Sequence, residues 1–416
     1  MAPPSTEKTI LDTVSSYRNE IVDFTKALVS VPTENPPGSA YSECAGFIED
    51  ELNRIGLDCS VIEAPSTLKL DRKHSGESGR TFRCSILSYY GTGKRTLYFH
   101  GHYDVVPASS EDQFRPRIIG DKLVGRGSSD MKGGLAAMIY AVKAVKECGI
   151  KLDGRIGLTI VPDEETGGLQ GSKHLADIGL LGKDGIGMLT PEPTSGVVWN
   201  ANRGAISLRV DVKGKAAHVG AHYEGINAFE QMLTVAEALR ELKEEISSRK
   251  TSFRIEPEAA RSSILMMGGQ CEGGTVFNVV PGTCSFTVDR RINPEEDLGI
   301  EKRTLLTLFD ELRNSGIDLE ANIFQEGESA GCSDSGPLAE ALAGSVEDVV
   351  GKHPAFAMCP GLLEIRFYIR KGVPAFAYGP GLLSVSHGPD EFVRIRDVYD
   401  CAAIYALAAA RLLSKN

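Results

Sequence analysis

Two histidines and three carboxylates stand at the ends of apolar runs or in nearby loops. Together they form a donor set suited to two divalent cations that share one carboxylate. The first segment is Leu97-Tyr98-Phe99-His100-Gly101-His102-Tyr103-Asp104-Val105-Val106-Pro107. On a strand, alternate side chains share a face, so His100, His102 and Asp104 are expected to point the same way. A carboxylate two residues from a histidine can hold the imidazole while the other ring nitrogen binds a metal. A hydrogen-bonded His/Asp pair at a strand end is the plainer alternative. In Gly125-Arg126-Gly127-Ser128-Ser129-Asp130-Met131-Lys132-Gly133-Gly134 the third glycine of a nucleotide loop is replaced by Asp130, which would repel a pyrophosphate. A nucleotide-dependent oxidoreductase is thereby excluded. Asp130 belongs instead on a turn entering a helix, as a ligand or as a simple helix cap.

Ile160-Val161-Pro162-Asp163-Glu164-Glu165-Thr166-Gly167-Gly168 closes an apolar run with three acids, which repel one another unless cations lie near. A solvated acidic turn is the alternative. The apolar run before the acids and the paired glycines after them favour a site at the carboxyl edge of an α/β sheet. Thr190-Pro191-Glu192-Pro193-Thr194 repeats the arrangement with one carboxylate in a proline-stiffened loop. Ser386-His387-Gly388-Pro389-Asp390-Glu391 places a histidine just before the last helix.

The elements that must position these groups follow from periodicity. Ile10, Val14, Tyr17, Ile21, Phe24 and Leu28 recur at spacings of four and three, which predicts one long helix. A second helix carries Tyr41, Ala45, Ile48, Leu52 and Ile55 and stops at Gly56. Residues 66–80 are polar and read as a surface loop. Strands are expected at 82–89, 96–106 and 155–161, with a helix at 133–147. Strands alternating with helices imply an α/β sheet covered on both faces.

After about residue 200 the pattern changes. Ile206, Leu208, Val210 and Val212 alternate as in a half-exposed strand, and strands and helices then follow in a two-layer order. The expected architecture is α/β: a catalytic domain with a mixed sheet between helices, built from 1–202 and 326–416. A smaller α+β two-layer domain at 203–325 interrupts it. A chain of 416 residues is long for one core, in keeping with two domains.

The formal net charge of −11 argues against a nucleic-acid partner. No apolar run reaches membrane-spanning length. Nine scattered cysteines without CxxC spacing, and an N-terminus without an apolar signal-type core, make a reducing, cytoplasmic setting the default expectation.

These motifs resemble the di-zinc amidohydrolases that include acetylornithine deacetylase, succinyl-diaminopimelate desuccinylase, aminoacylase and carboxypeptidase G. The resemblance runs from Val31-Pro32 and Asn35-Pro36-Pro37-Gly38, through the His102, Asp130 and Glu164 segments, to Gly379-Pro380-Gly381 and His387-Gly388-Pro389-Asp390-Glu391. It implies that His102 and Glu192 bind one zinc ion, Glu165 and His387 the other, and that Asp130 bridges them. Co2+ or Mn2+ would be substitutes. It also implies Glu164 as general base, Asp104 as the group orienting His102, and a cis bond at Asp130-Met131.

Lys215-Ala216-Ala217-His218 through Asn227-Ala228 resembles the family's lid motif, with His218 stabilising an oxyanion and the inserted domain forming a homodimer. Asn278 and Arg291 match substrate-holding positions, and Ser333 lies in a pocket-lining loop, Gly331-Cys332-Ser333-Asp334. Arginine suits a substrate carboxylate through its fork of donors, although Arg291 in a surface ion pair is the alternative. The implied reaction is cleavage of an N-acyl amino acid's amide bond by a metal-bridged water. A dipeptidase or carboxypeptidase of the same family is the alternative. A non-catalytic relative should lack the base or a ligand, and all six positions are filled here. His100, His222 and Cys332 depart from the family's usual residues and bear on the substrate rather than on the chemistry.

Overall fold

The computed structural model describes residues 6–65 and 83–414, so the surface loop expected at 66–80 lies outside the described residues. The chain forms two compact units. One comprises Met1–Asn200, Cys332–Ala357 and Phe367–Asn416; the other comprises Ala201–Gly331 and Met358–Arg366.

The first unit is built on a mixed sheet. Seven of its nine strands run in the order Cys59–Glu63, Cys84–Thr92, Gly154–Val161, Thr96–His102, Gly185–Thr190, Ala375–Ala377 and Val198–Asn202. Gly154–Val161, Thr96–His102, Gly185–Thr190 and Ala375–Ala377 are mutually parallel, with His102 beside Val161 and Phe99 beside Leu189. Three of the predicted site segments therefore leave the same carboxyl edge from three adjacent strands, where open α/β sheets place ligands. The 96–102 strand ends four residues short of its predicted limit, because at Val105 the chain bonds to Thr33 and Asn35 instead.

The helix Gly133–Glu147 is apolar on nearly every side, and its residues 133–145 are buried, as expected for a helix enclosed by other elements. It packs against the closing helix Ile395–Leu413, whose run of alanines permits close approach. The long N-terminal helix is in fact two, Thr6–Ser16 and Arg18–Ser30, with Tyr17 outside helical geometry (φ −93°, ψ 7°). Ile10, Val14, Tyr17 and Ile21 are nonetheless all buried. The period of three and four reports which face is buried, and that face continues across the break. Among the described residues no helix is long and apolar enough to cross a membrane.

The second unit is an antiparallel sheet in the order Ile264–Gly273, Thr283–Ile292, Gly204–Lys213 and Asp318–Gly327. Helices Ala228–Ser248 and Leu298–Asn314 pack on it. Ile206, Leu208, Val210 and Val212 form the core beneath them, as their alternation predicts. Both helices begin with a side-chain cap: Asn227 accepts from the Phe229 N–H at 3.0 Å, and Asp297 from the Ile300 N–H at 2.9 Å.

Candidate metal centre

Each of the three sheet-edge segments delivers one buried group. His102 ends its strand, Glu165 follows the 154–161 strand on a short turn, and Glu192 follows the 185–190 strand by two residues. The Pro191–Glu192 loop can lie this close only because its neighbours lack side chains. A Cβ at Gly134 would come within 2.3 Å of the Pro191 carbonyl oxygen, and one at Gly379 within 2.2 Å. Asp130 sits in a non-helical turn (φ −121°, ψ 95°) just before the 133–147 helix, and the Asp130-Met131 bond is cis. His387 comes from the loop between the 375–377 strand and the closing helix.

These five residues fall into two groups that share Asp130. His102, Asp130 and Glu192 form one; Asp130, Glu165 and His387 form the other. Within each, the ligand atoms lie within 4.8 Å of one another. Asp130 divides its oxygens between them. Oδ1 is 3.3 Å from His102 Nε2, and Oδ2 is 3.3 Å from His387 Nε2. His102 Nε2 is also 3.7 Å from Glu192 Oε1, and His387 Nε2 is 3.2 Å from Glu165 Oε2. A carboxylate with one oxygen towards each imidazole is the arrangement that bridges two cations.

Two further observations fit such ions. His102 Nε2 and Glu165 Oε1 are buried without a hydrogen bond of good geometry. The electrostatics are also those of a cation site. Hydrogen bonds to Asp130 and Glu165 push His387 up to about 11. Burial opposes charge on His102, yet its contacts with Asp104 and Asp130 hold it well above its ordinary value. Burial likewise opposes charge on Asp130, and the two imidazoles outweigh it, holding Asp130 below the usual carboxylate range. Burial raises Glu165. A bound cation would supply the positive charge that three clustered carboxylates require, and would compete with protons for the imidazoles.

Asp104 does more than the sequence suggests. His102 Nδ1 lies 3.0 Å from the Asp104 main-chain oxygen and 3.2 Å from Oδ1, which leaves Nε2 facing the cluster. The carboxylate also accepts the main-chain N–H groups of Glu164 and Glu165, each at 3.1 Å, so one side chain fixes the turn carrying both acids. Asn35 Nδ2 donates to Asp104 Oδ2 at 2.8 Å and to Thr166 Oγ1 at 2.9 Å, and Arg83 donates to Asn35 Oδ1 at 3.0 Å. Sequence reasoning saw Asn35 only as part of the Asn35-Pro36-Pro37-Gly38 segment, a turn that also belongs to the family resemblance. Its substitution by Ala should lower stability by about 1–3 kcal/mol, because buried Asp104 and Arg83 each lose a partner. Urea unfolding of the full chain checks this; an unshifted midpoint would show that Asn35 is not needed to hold the turn.

A family model described as Peptidase family M20/M25/M40 matches residues 98–411. The chain belongs to that family. It is accordingly an M20-family hydrolase acting on amide bonds through a metal-dependent site. It is 27% identical over 401 residues to a probable succinyl-diaminopimelate desuccinylase of Staphylococcus epidermidis, covering 89% of this chain and 92% of that one. Aminoacylase-1 of Sus scrofa is 27% identical over 361 residues, 83% of each chain. The solved structure of the di-peptidase Dug1p from Saccharomyces cerevisiae shares the fold, with a TM-score of 0.76 at 17% identity, covering 97% of this chain and 98% of that one.

Other predicted residues are members of neither group. His100, grouped with His102 by strand alternation, has Nε2 3.2 Å from Ser172 Oγ and Nδ1 3.2 Å from the Tyr368 hydroxyl. It is a buried structural histidine in this M20 member. Asp163, first of the acid triplet, turns away to accept the N–H groups of Gln170 at 2.6 Å and Gly171 at 2.7 Å. Ser333 is exposed and its hydroxyl pairs with Ser335 at 2.7 Å. His218, Asn278 and Arg291 belong to the second unit. His218 Nδ1 accepts the Gly220 N–H at 3.1 Å, and the Asn278 carbonyl accepts the Val219 N–H at 2.9 Å. Arg291 pairs with Asp289 at 2.9 Å, whereas Arg290 is fully buried against Glu296 and Glu301.

Proposed function

We propose that the chain removes the acyl group from an N-acyl amino acid, using two zinc ions held by His102, Asp130, Glu192, Glu165 and His387. The division of Asp130's two oxygens between His102 and His387 is the observation that carries this reading. The names of its curated relatives, a probable desuccinylase and an aminoacylase, favour an acylated amino acid over a peptide. A pair of divalent cations in such a site polarises a carbonyl and lowers the pKa of water.

The chain's own groups do the rest. Glu164 takes a proton from the attacking water as the water oxygen bonds to the carbonyl carbon and the carbonyl oxygen gains the negative charge. It then passes that proton to the amine nitrogen as the oxyanion collapses and the amide C–N bond breaks. Asp104 keeps Glu164 in place through its main chain and holds the His102 ring. His218, Asn278, Arg291 and Ser333 are assigned to the substrate on the family resemblance: His218 to the developing oxyanion, Asn278 and Arg291 to the free carboxylate, Ser333 to the pocket wall. The proposal includes a homodimer through the inserted domain and a cytoplasmic setting.

The test is a substrate panel of N-acetyl and N-succinyl amino acids beside simple dipeptides. Hydrolysis of an acylated amino acid should be abolished by a chelator and restored by Zn2+ or Co2+. Cleavage of dipeptides alone would transfer the protein to the exopeptidases of the family.

A further inference from the structure

Arg126 and Glu391 lie 265 positions apart in the sequence and meet as an ion pair in which neither side chain is more than 1% exposed. Two buried charges are better tolerated where hydrogen bonds satisfy most of their remaining atoms. Here the bonds that the pair makes go to the main chain beside the metal centre, while Arg126 Nε is buried without a partner. Glu391 Oε1 accepts the N–H groups of Ser129 at 3.0 Å and Asp130 at 3.1 Å, while Arg126 Nη2 donates to the His387 carbonyl at 3.0 Å. One ion pair therefore grips the backbone of both residues whose side chains meet at 3.3 Å.

An independent feature shows why a grip is needed. His387 has φ +65°, a left-handed conformation that a residue with a side chain keeps only where its surroundings impose it. The Arg126 bond falls on that residue's own carbonyl. Gln113 Nε2 donates to the next two carbonyls, Gly388 at 3.1 Å and Pro389 at 3.0 Å, and the Gln113 carbonyl accepts the Arg126 N–H at 2.8 Å. The His387 loop is thus tied at one carbonyl to the segment that carries Asp130, and at the next two to Gln113, which itself bonds to Arg126.

We infer that Arg126 and Glu391 are positioning residues that hold Asp130 and His387 at ligand spacing, and so set the affinity of the cation shared by Asp130, Glu165 and His387. This rests on the metal-centre reading above. Neither side chain belongs to either ligand group. The pair acts only through the backbone of residues that do.

The experiment titrates Zn2+ into metal-stripped full-length protein against a chromophoric chelator, which reports both the number of ions and their affinities. The wild-type protein should bind two. Arg126→Lys keeps the charge and can still pair with Glu391, but one ammonium cannot reproduce the guanidinium fork that serves Glu391 and the His387 carbonyl together. One of its two ions should weaken by about 10–100-fold, the range for losing a group that orients a ligand, while the other is unchanged. The double variant Arg126→Met with Glu391→Leu removes both charges at similar volume, a change that buried pairs often tolerate. It should melt somewhat below the wild-type temperature when metal-free, since the main-chain groups of Ser129, Asp130 and His387 lose partners. It should also weaken the ion shared with His387 at least as far as Arg126→Lys does, which a merely structural pair would not produce.

If the double variant does not fold, Arg126→Lys decides alone. Two ions bound with wild-type affinity by Arg126→Lys would overturn the inference. Fewer than two ions on the wild-type protein would overturn the metal-centre reading instead.

Discussion

Glu164→Gln is expected to lower kcat by roughly 10²–10⁴-fold, the usual contribution of a positioned acid–base group, while both ions remain bound. Glu164 lies beside Glu165 on one short turn, yet only Glu165 belongs to a ligand group. The Glu164 main chain is fixed by its bond to Asp104 Oδ1 at 3.1 Å, and that bond survives the substitution. Gln matches Glu in shape but cannot accept a proton and carry it to the amine. Metal content and KM should therefore stay near wild type while turnover collapses. Glu165→Gln makes the contrast, since a carboxylate 3.2 Å from His387 Nε2 is removed and ion binding should fall with activity. Near-normal turnover by Glu164→Gln would remove it from the role of base.

How much of this was legible in the sequence depends on how far apart the partners lie along the chain. His102, the triplet Asp163-Glu164-Glu165 and Glu192 could be picked out because each closes or follows an apolar run that ends abruptly in polar residues, a local pattern; the choice of Glu165 within the triplet came from the family resemblance. Three such ends became one site because the strands proved to be adjacent and parallel. The order of strands in a sheet has no local signature. Asp130 was legible through the glycines around it, which fit a turn and not a phosphate loop.

Strand alternation put His100 on the face of His102 without showing what it would meet there. It reports which face a side chain takes, and here the groups that engage that face, Ser172 and Tyr368, come 72 and 268 positions later. Asp163 was likewise indistinguishable from its two neighbours until the backbone of Gln170 and Gly171 folded onto it. Asn35 supports Asp104 from 69 positions away, and nothing in Asn35-Pro36-Pro37-Gly38 beyond a turn announces this. The residues that hold the ligands in place are harder to read than the ligands, since their role is defined entirely by what they touch.

The ligand shared by both groups should be the least replaceable. Asp130→Asn keeps the size of the side chain and its one carbonyl oxygen but puts an amide N–H2 where the second oxygen stood. Of the two 3.3 Å approaches, to His102 Nε2 and to His387 Nε2, only one can then involve an acceptor. The lost charge also counts. At an effective dielectric of about 20, one unit charge about 4 Å from another is worth on the order of 4 kcal/mol, or about three powers of ten in affinity per unit of cation charge. We expect the Zn2+ stoichiometry of Asp130→Asn to fall from two to one or fewer and hydrolysis of any substrate to drop at least as far as in Glu164→Gln. The two variants are told apart by metal content: Glu164→Gln keeps its ions and Asp130→Asn does not. The amide nitrogen must face one histidine or the other, so the ion that survives identifies the side on which the oxygen remains. Retention of two tightly bound ions by Asp130→Asn would mean that the bridge is not made by this carboxylate, and the two groups would then have to be treated as separate single-ion sites.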